Sequence, residues 1–99
     1  MSSSTPDLSA SGTVLVRYWA AARAAAGVDS DTILASDGTT LADLLAAVLT
    51  LHADRPRLAE VVSVCSVLVG DRPVGSADPV DVRLQPGDTV ELLPPFAGG

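Results

Sequence analysis

The sequence predicts an α+β domain: a mixed sheet packed on one main helix, in the order β-α-β-α-β-β-β, followed by an extended Gly-Gly tail. Three observations carry this. Thr13 to Trp19 and Thr89 to Leu93 alternate with the two-residue period of strands. Leu41, Leu44, Leu45, Val48, Leu49 and Leu51 recur between them with the spacing of a one-sided helix. The chain then closes on Pro94-Pro95-Phe96-Ala97-Gly98-Gly99, where two prolines end strand pairing because neither has an N–H to donate.

Each element has its own signal. Met1 to Gly12 is Ser-rich and offers too little apolar surface to offset the entropy of ordering, so residues 1–12 read as a disordered extension. The folded domain is then expected over residues 13–94 and a flexible tail over 95–99. In the first strand Val14, Val16 and Tyr18 face one way, and Leu15, Arg17 and Trp19 the other. Ala20 to Ala26 is all Ala apart from Arg23, which favours a short helix, and Gly27 stops it. Asp31 to Leu34 reads as a weak second strand, with Asp37-Gly38 as a turn. Thr40 is a good N-cap, and Asp43 stands in the capping-box position of the main helix. That helix runs to His52–Asp54, ahead of Pro56, and a shorter helical turn covers Arg57 to Val62. Val64 to Val69 reads as a strand, Gly70-Asp71 as a tight turn and Arg72 to Val74 as the returning strand of a hairpin. Ser76 to Pro86 is irregular. Pro86-Gly87-Asp88 then turns into the last strand, where Val90 and Leu92 face one way and Glu91 and Leu93 the other.

Composition excludes several classes of function. At 99 residues and 47% hydrophobic content the chain is one domain. Its only aromatics are Tyr18, Trp19 and Phe96, so the core must be mostly Val, Leu and Ala. Net charge is −6, and all six basic residues are Arg. An acidic surface without lysine argues against nucleic acid and against anionic membranes, and favours a partner with a basic docking surface. The single cysteine, Cys65, rules out an intramolecular disulfide and suits core packing. The N-terminus has no basic and apolar regions of a secretory signal, Ser2 excludes myristoylation, and no apolar run approaches the ~20 residues that cross a bilayer. The chain reads as cytoplasmic. No Ser-His-Asp, Cys-His or metal-spaced cluster supports an active site, so it reads as no enzyme by itself. His52, the only histidine, suits a helix C-terminus better than acid–base work, and Arg23 suits the dipole at the end of the short helix.

The Gly98-Gly99 ending carries the chemistry. Glycine is roughly 7% of ordinary residues, so a terminal pair arises by chance in about one chain in two hundred. A terminal glycine presents an α-carboxylate uncrowded by a side chain, and two glycines thread a narrow channel. Such a carboxylate suits activation as an acyl-adenylate and attack by a nucleophile. With no lysine in the chain, it has no internal side-chain amine to acylate.

Four features in order resemble the MoaD/ThiS family of ubiquitin-like sulfur carriers, nearest to its molybdopterin synthase small subunits, over Thr13 to Gly99. The first strand runs into Trp19-Ala20, with Arg23 three residues further and Gly27 closing the helix. Thr40-Leu41-x-x-Leu44 starts the main helix. Pro86-Gly87-Asp88 leads the last strand, and Pro94-Pro95-x-x-Gly98-Gly99 ends the chain. Three departures are Ala24, where relatives often carry an acidic residue, the Gly70-Asp71-Arg72-Pro73 turn, and the N-terminal extension. The resemblance implies a β-grasp fold. It implies that a ubiquitin-activating-enzyme-like adenylyltransferase uses ATP to adenylate the Gly99 carboxylate, and that sulfur from a persulfide then converts it to a thiocarboxylate. The tail, Phe96, Ala97 and Gly98, would thread into the large catalytic subunit of molybdopterin synthase, within a heterotetramer. There the thiocarboxylate would give its sulfur to the dithiolene of molybdopterin. No cofactor would be bound by this chain itself. Carriers for thiamine thiazole or cysteine synthesis share the Gly-Gly chemistry, as do ubiquitin-like protein modifiers. The aromatic-Ala-x-x-Arg start and Pro-Pro-x-x-Gly-Gly end favour molybdopterin.

The expected docking surface follows from strand phase. If the first and last strands are parallel neighbours, Trp19 and Leu93 share the outward face, and exposing both is costly unless a partner covers them. Phe96, on the tail, would anchor it in a partner groove.

Overall fold

A computed structural model describes residues 11–95 of the chain. In it, β1 (Ser11–Tyr18), α1 (Ala20–Ala26) and β2 (Ser30–Ser36) are followed by α2 (Leu41–Leu51) and α3 (Pro56–Val62). β3 (Ser66–Val69), β4 (Arg72–Pro73), a 3-10 turn at Pro79–Asp81 and β5 (Thr89–Leu93) complete the order. The five strands form one sheet in the order β2-β1-β5-β3-β4. β1 and β5 lie parallel at its centre, and the other neighbours are antiparallel. This is the mixed sheet on one main helix expected of a β-grasp. No helix among the described residues is long and apolar enough to cross a membrane.

The strand phases hold. Val16 pairs with Val90 and Tyr18 with Leu92 across the central strands, and all four side chains are buried. They meet Leu41, Leu44 and Val48 of α2 and Leu58 of α3 in one core, and no polar residue is fully buried among the described residues. Each such leucine contributes about 1.5–3 kcal/mol by leaving water. The Thr40 cap forms as a reciprocal pair: the Asp43 N–H donates to Thr40 Oγ1 at 3.1 Å, and the Thr40 N–H donates to Asp43 Oδ2 at 3.0 Å. Gly27 closes α1 at φ 81°, its N–H bonded to the Arg23 carbonyl at 2.9 Å. A Cβ at Gly27 would also meet the Arg55 guanidinium carbon at 2.6 Å, but that exposed side-chain end can swing aside, so the positive φ is what favours glycine there.

Several boundaries differ from expectation, each for a physical reason. β1 begins at Ser11 because Ser11 and Gly12 pair with Ser36 and Ala35, so these two residues belong to the sheet and not to the extension. The same pairing lengthens β2 beyond Asp31–Leu34. Leu51 is 54% exposed and lies outside the core. It stands ~80° around the helix from Leu41, in the last turn. β3 begins two residues later than predicted, because the Val64 and Cys65 N–H groups bond back to Val61 and Val62, both at 3.1 Å, and extend the end of α3. Val64 is accordingly exposed and Cys65 half-buried, with burial pushing its thiol pKa up. α3 starts at Pro56, whose fixed φ suits a first helical position.

The stretch read as irregular is a strap. Leu41 N–H bonds to the Val82 carbonyl and Leu84 N–H to the Thr39 carbonyl, both at 2.8 Å, so the strap satisfies the start of α2. Leu84 is 1% exposed and belongs to the core. Residues 1–10, the bulk of the expected extension, lie outside the described residues. So do Phe96, Ala97, Gly98 and Gly99.

Candidate functional site

The outward face of the sheet carries an apolar groove of about 480 Å³, lined by Trp19, Ser66, Leu68, Leu93, Pro94 and Pro95 together with Ala20. Pairing explains the assembly. The β1–β5 register sets Arg17 beside Glu91, and the β5–β3 register sets Glu91 beside Leu68 and Leu93 beside Ser66. Residues of the same phase share a face, so Leu68 and Leu93 both point outward. Trp19 follows β1, its backbone N–H still bonded to the Leu92 carbonyl at 3.2 Å, and its ring completes the groove. The two residues expected to share an outward face therefore do so. Trp19 is 39% exposed and Leu93 half-buried. Pro94 and Pro95 lead from the groove toward the tail.

Two polar contacts on this face went unseen in the sequence. The Trp19 Nε1–H donates to Glu91 Oε1 at 2.8 Å, and the Arg17 guanidinium lies 4.9 Å from the Trp19 ring centroid. Alternation had placed all three side chains on one face, but only the parallel register brings Glu91 within reach. Ala20, next in the chain, has φ 49°, a conformation that costs an L-residue about 1 kcal/mol.

His52 serves the helix end, as its position suggested. It is the C-cap residue of α2, and its Nε2 bonds to Asp31 Oδ2 at 2.5 Å. Tyr18 Oη donates to the same oxygen at 2.7 Å, and its ring meets His52 edge-on at 6.1 Å. Burial, then the hydrogen bond to Asp31 and its charge, push the Tyr18 pKa well above its ordinary value. This network fastens the end of α2 to β1 and β2, on the face opposite Trp19. Arg23 stands in the last turn of α1 and faces Asp29 at 3.6 Å, with both side chains in water, where such a pair adds little. Among the described residues no group of three His, Cys, Asp or Glu is placed to hold a metal ion.

The geometry has counterparts among known proteins. Residues 16–99 match the ThiS family. The chain belongs to that family. It is similar to the molybdopterin synthase sulfur carrier subunit of Chlamydomonas reinhardtii, at 34% identity over 87% of this chain and 98% of that protein. Among solved structures, it resembles a chain in the complex of subunits 1 and 2 of molybdopterin-converting factor from Helicobacter pylori. There the identity is 28%, the TM-score 0.59, and the coverage 88% of this chain and 99% of that one. The small archaeal modifier protein 1 of Methanosarcina acetivorans, at 19% identity, shares the ubiquitin-like β-grasp fold with a TM-score of 0.70 over 90% of this chain and 98% of that one. The family match reaches Gly99, so it includes the Pro-Pro-x-x-Gly-Gly segment of this ThiS-family chain.

Proposed function

We propose that this chain is the sulfur-carrier subunit of a molybdopterin synthase. The observation that carries the reading is the 34% identity to the Chlamydomonas carrier over nearly the whole of both proteins. The groove beside the start of the tail supports it. In this reading a Gly99 carboxylate oxygen attacks the α-phosphorus of ATP on an adenylyltransferase, and pyrophosphate leaves. A persulfide sulfur then attacks the acyl carbon and expels AMP. Reductive cleavage of the resulting S–S bond by a thiol leaves the thiocarboxylate, whose sulfur is far more nucleophilic than a carboxylate oxygen. The body docks on a large catalytic subunit in a heterotetramer, in the cytoplasm, through Trp19 and Leu93. Phe96, Ala97 and Gly98 carry the thiocarboxylate into the partner's site. Catalytic side chains belong to the partner, and this chain supplies the consumable end group.

The test is intact-protein mass spectrometry after incubation with the activating enzyme, ATP and a sulfur source. One oxygen should be exchanged for sulfur at Gly99. Deleting Gly99, or adding a residue after it, should abolish loading and synthase activity while the fold persists. Full activity of a C-terminally extended chain overturns the reading. Adducts on lysines of other proteins would point to a modifier instead.

A further inference from the structure

We infer that Glu91 and Arg17 are positioning residues that hold the Trp19 indole as a standing wall of the apolar groove, so the docking face exists before any partner arrives. The inference rests on the docking reading above and adds what keeps that face open. Left free, an indole at the end of a strand would lie down on the nearest apolar surface, here Leu68 and Leu93, and close the groove. Three contacts oppose this, and each restricts a different freedom. The Glu91 carboxylate accepts the indole N–H at 2.8 Å and fixes the ring in its own plane. The Arg17 guanidinium, 4.9 Å from the ring centroid, covers one face and fixes its tilt. The Trp19 backbone N–H is bonded to the Leu92 carbonyl at 3.2 Å, which anchors the residue to β5. Arg17 and Glu91 are register partners on β1 and β5, so the sheet itself spaces the two arms of the clamp.

The clamp does not serve the core. Trp19 is 39% exposed, and all three side chains lie on the outward face. Its effect falls on binding. Ordering a side chain at an interface costs affinity, and a ring already held avoids that cost, worth a few-fold to about tenfold in Kd. The clamp also defines the partner. Glu91 already takes the indole N–H, so the surface that fits here is apolar opposite the ring and needs no acceptor of its own for it.

Trp19 is the only tryptophan, so its fluorescence reports the clamp without a partner. In the full chain, Glu91→Ala should shift its emission and speed its nanosecond depolarisation, with the thermal midpoint unchanged. Glu91→Gln, which keeps an acceptor oxygen, should restore both. Titrated with the purified large synthase subunit, Glu91→Ala should bind a few-fold to about tenfold more weakly, and Glu91→Gln close to the parent. In a Trp19→Phe background, which has no N–H to hold, Glu91→Ala should cost nothing further. Unchanged anisotropy in Glu91→Ala overturns the clamp, as does an equal binding loss with and without the indole. If Trp19→Ala binds like the parent, the docking reading fails, while the anisotropy still decides the clamp. If Trp19→Ala weakens binding and Glu91→Ala does not, the clamp alone falls.

Discussion

Tyr18→Phe should change how the domain responds to alkali. An unfolded tyrosine ionises near pH 10. In the fold Tyr18 is 2% exposed, and burial, the hydrogen bond to Asp31 and the Asp31 charge all hold its phenol protonated well beyond that. With the folded pKa raised, the contribution is complete below about pH 10 and drains away as pH rises past it, because the unfolded chain then releases a proton that the native state retains. The slope is ~1.4 kcal/mol per pH unit, which makes the loss ~1.4 kcal/mol at pH 11 and ~2 kcal/mol half a unit higher. In a domain of this size, ~1.4 kcal/mol lowers the melting midpoint by roughly 6–11 °C. Phe at this position removes the proton and also the hydrogen bond to Asp31, worth about 1 kcal/mol at neutral pH. The variant should therefore be the less stable protein at pH 8 and the more stable one above about pH 11. The Cys65 thiol, also raised by burial, adds an alkaline slope of its own, but both proteins carry it and it cancels in the difference. Denaturant midpoints from pH 7 to alkaline pH measure the crossing. Phenolate absorbance, from the only tyrosine in the chain, should appear only with unfolding. Parallel decline of the two proteins, or a phenolate that titrates near pH 10 in the folded state, would refute the part-buried Tyr18–Asp31–His52 network.

Leu93→Asp should fold normally yet lose ~2 kcal/mol or more of binding to the large subunit, because its charge would be desolvated in the contact. Calorimetry beside a melt of the free variant checks this, and unfolding of the free domain would put Leu93 in the core. Leu84→Ala should cost ~2–5 kcal/mol in denaturant unfolding, and a much smaller loss would detach the strap from the core. A chain beginning at Ser11 should melt at nearly the parent temperature, since the Ser-rich residues before it have little apolar surface to bury. A large drop would show that residues 1–10 pack on the domain.

The fold was legible wherever one residue spacing repeated. Alternation in β1 and β5 assigned every inward and outward side chain correctly, and the Thr40–Asp43 pair marked the start of α2 to the residue. What failed were positions whose role depends on a distant segment. Leu84 looks like one apolar residue in a loop until the Thr39 carbonyl is seen to receive its N–H. Val64 and Cys65 are strand formers by type, yet their N–H groups were taken by the turn that ends α3. Leu51 fits the helical stripe but stands in the last turn, 54% exposed. Propensity is a local quantity, and each of these outcomes was decided by tertiary context.

The candidate site divides along the same line. The Gly98-Gly99 ending suggests its chemistry by residue type alone, an α-carboxylate uncrowded by a side chain, and lies outside the described residues. The apolar groove needed one more fact than the sequence held. Period placed Arg17, Trp19, Glu91 and Leu93 on one side of their strands, but a side-chain hydrogen bond 72 residues apart in sequence depends on register. A parallel pairing shifted by two residues would keep every face assignment and move Glu91 away from the indole by the length of two residues, about 6.6 Å. The contact at 2.8 Å exists because Arg17 stands opposite Glu91 and Tyr18 opposite Leu92. The inward Tyr18–Leu92 pair is buried in the core, so the packing that fixes this register also fixes the geometry of the groove on the other face.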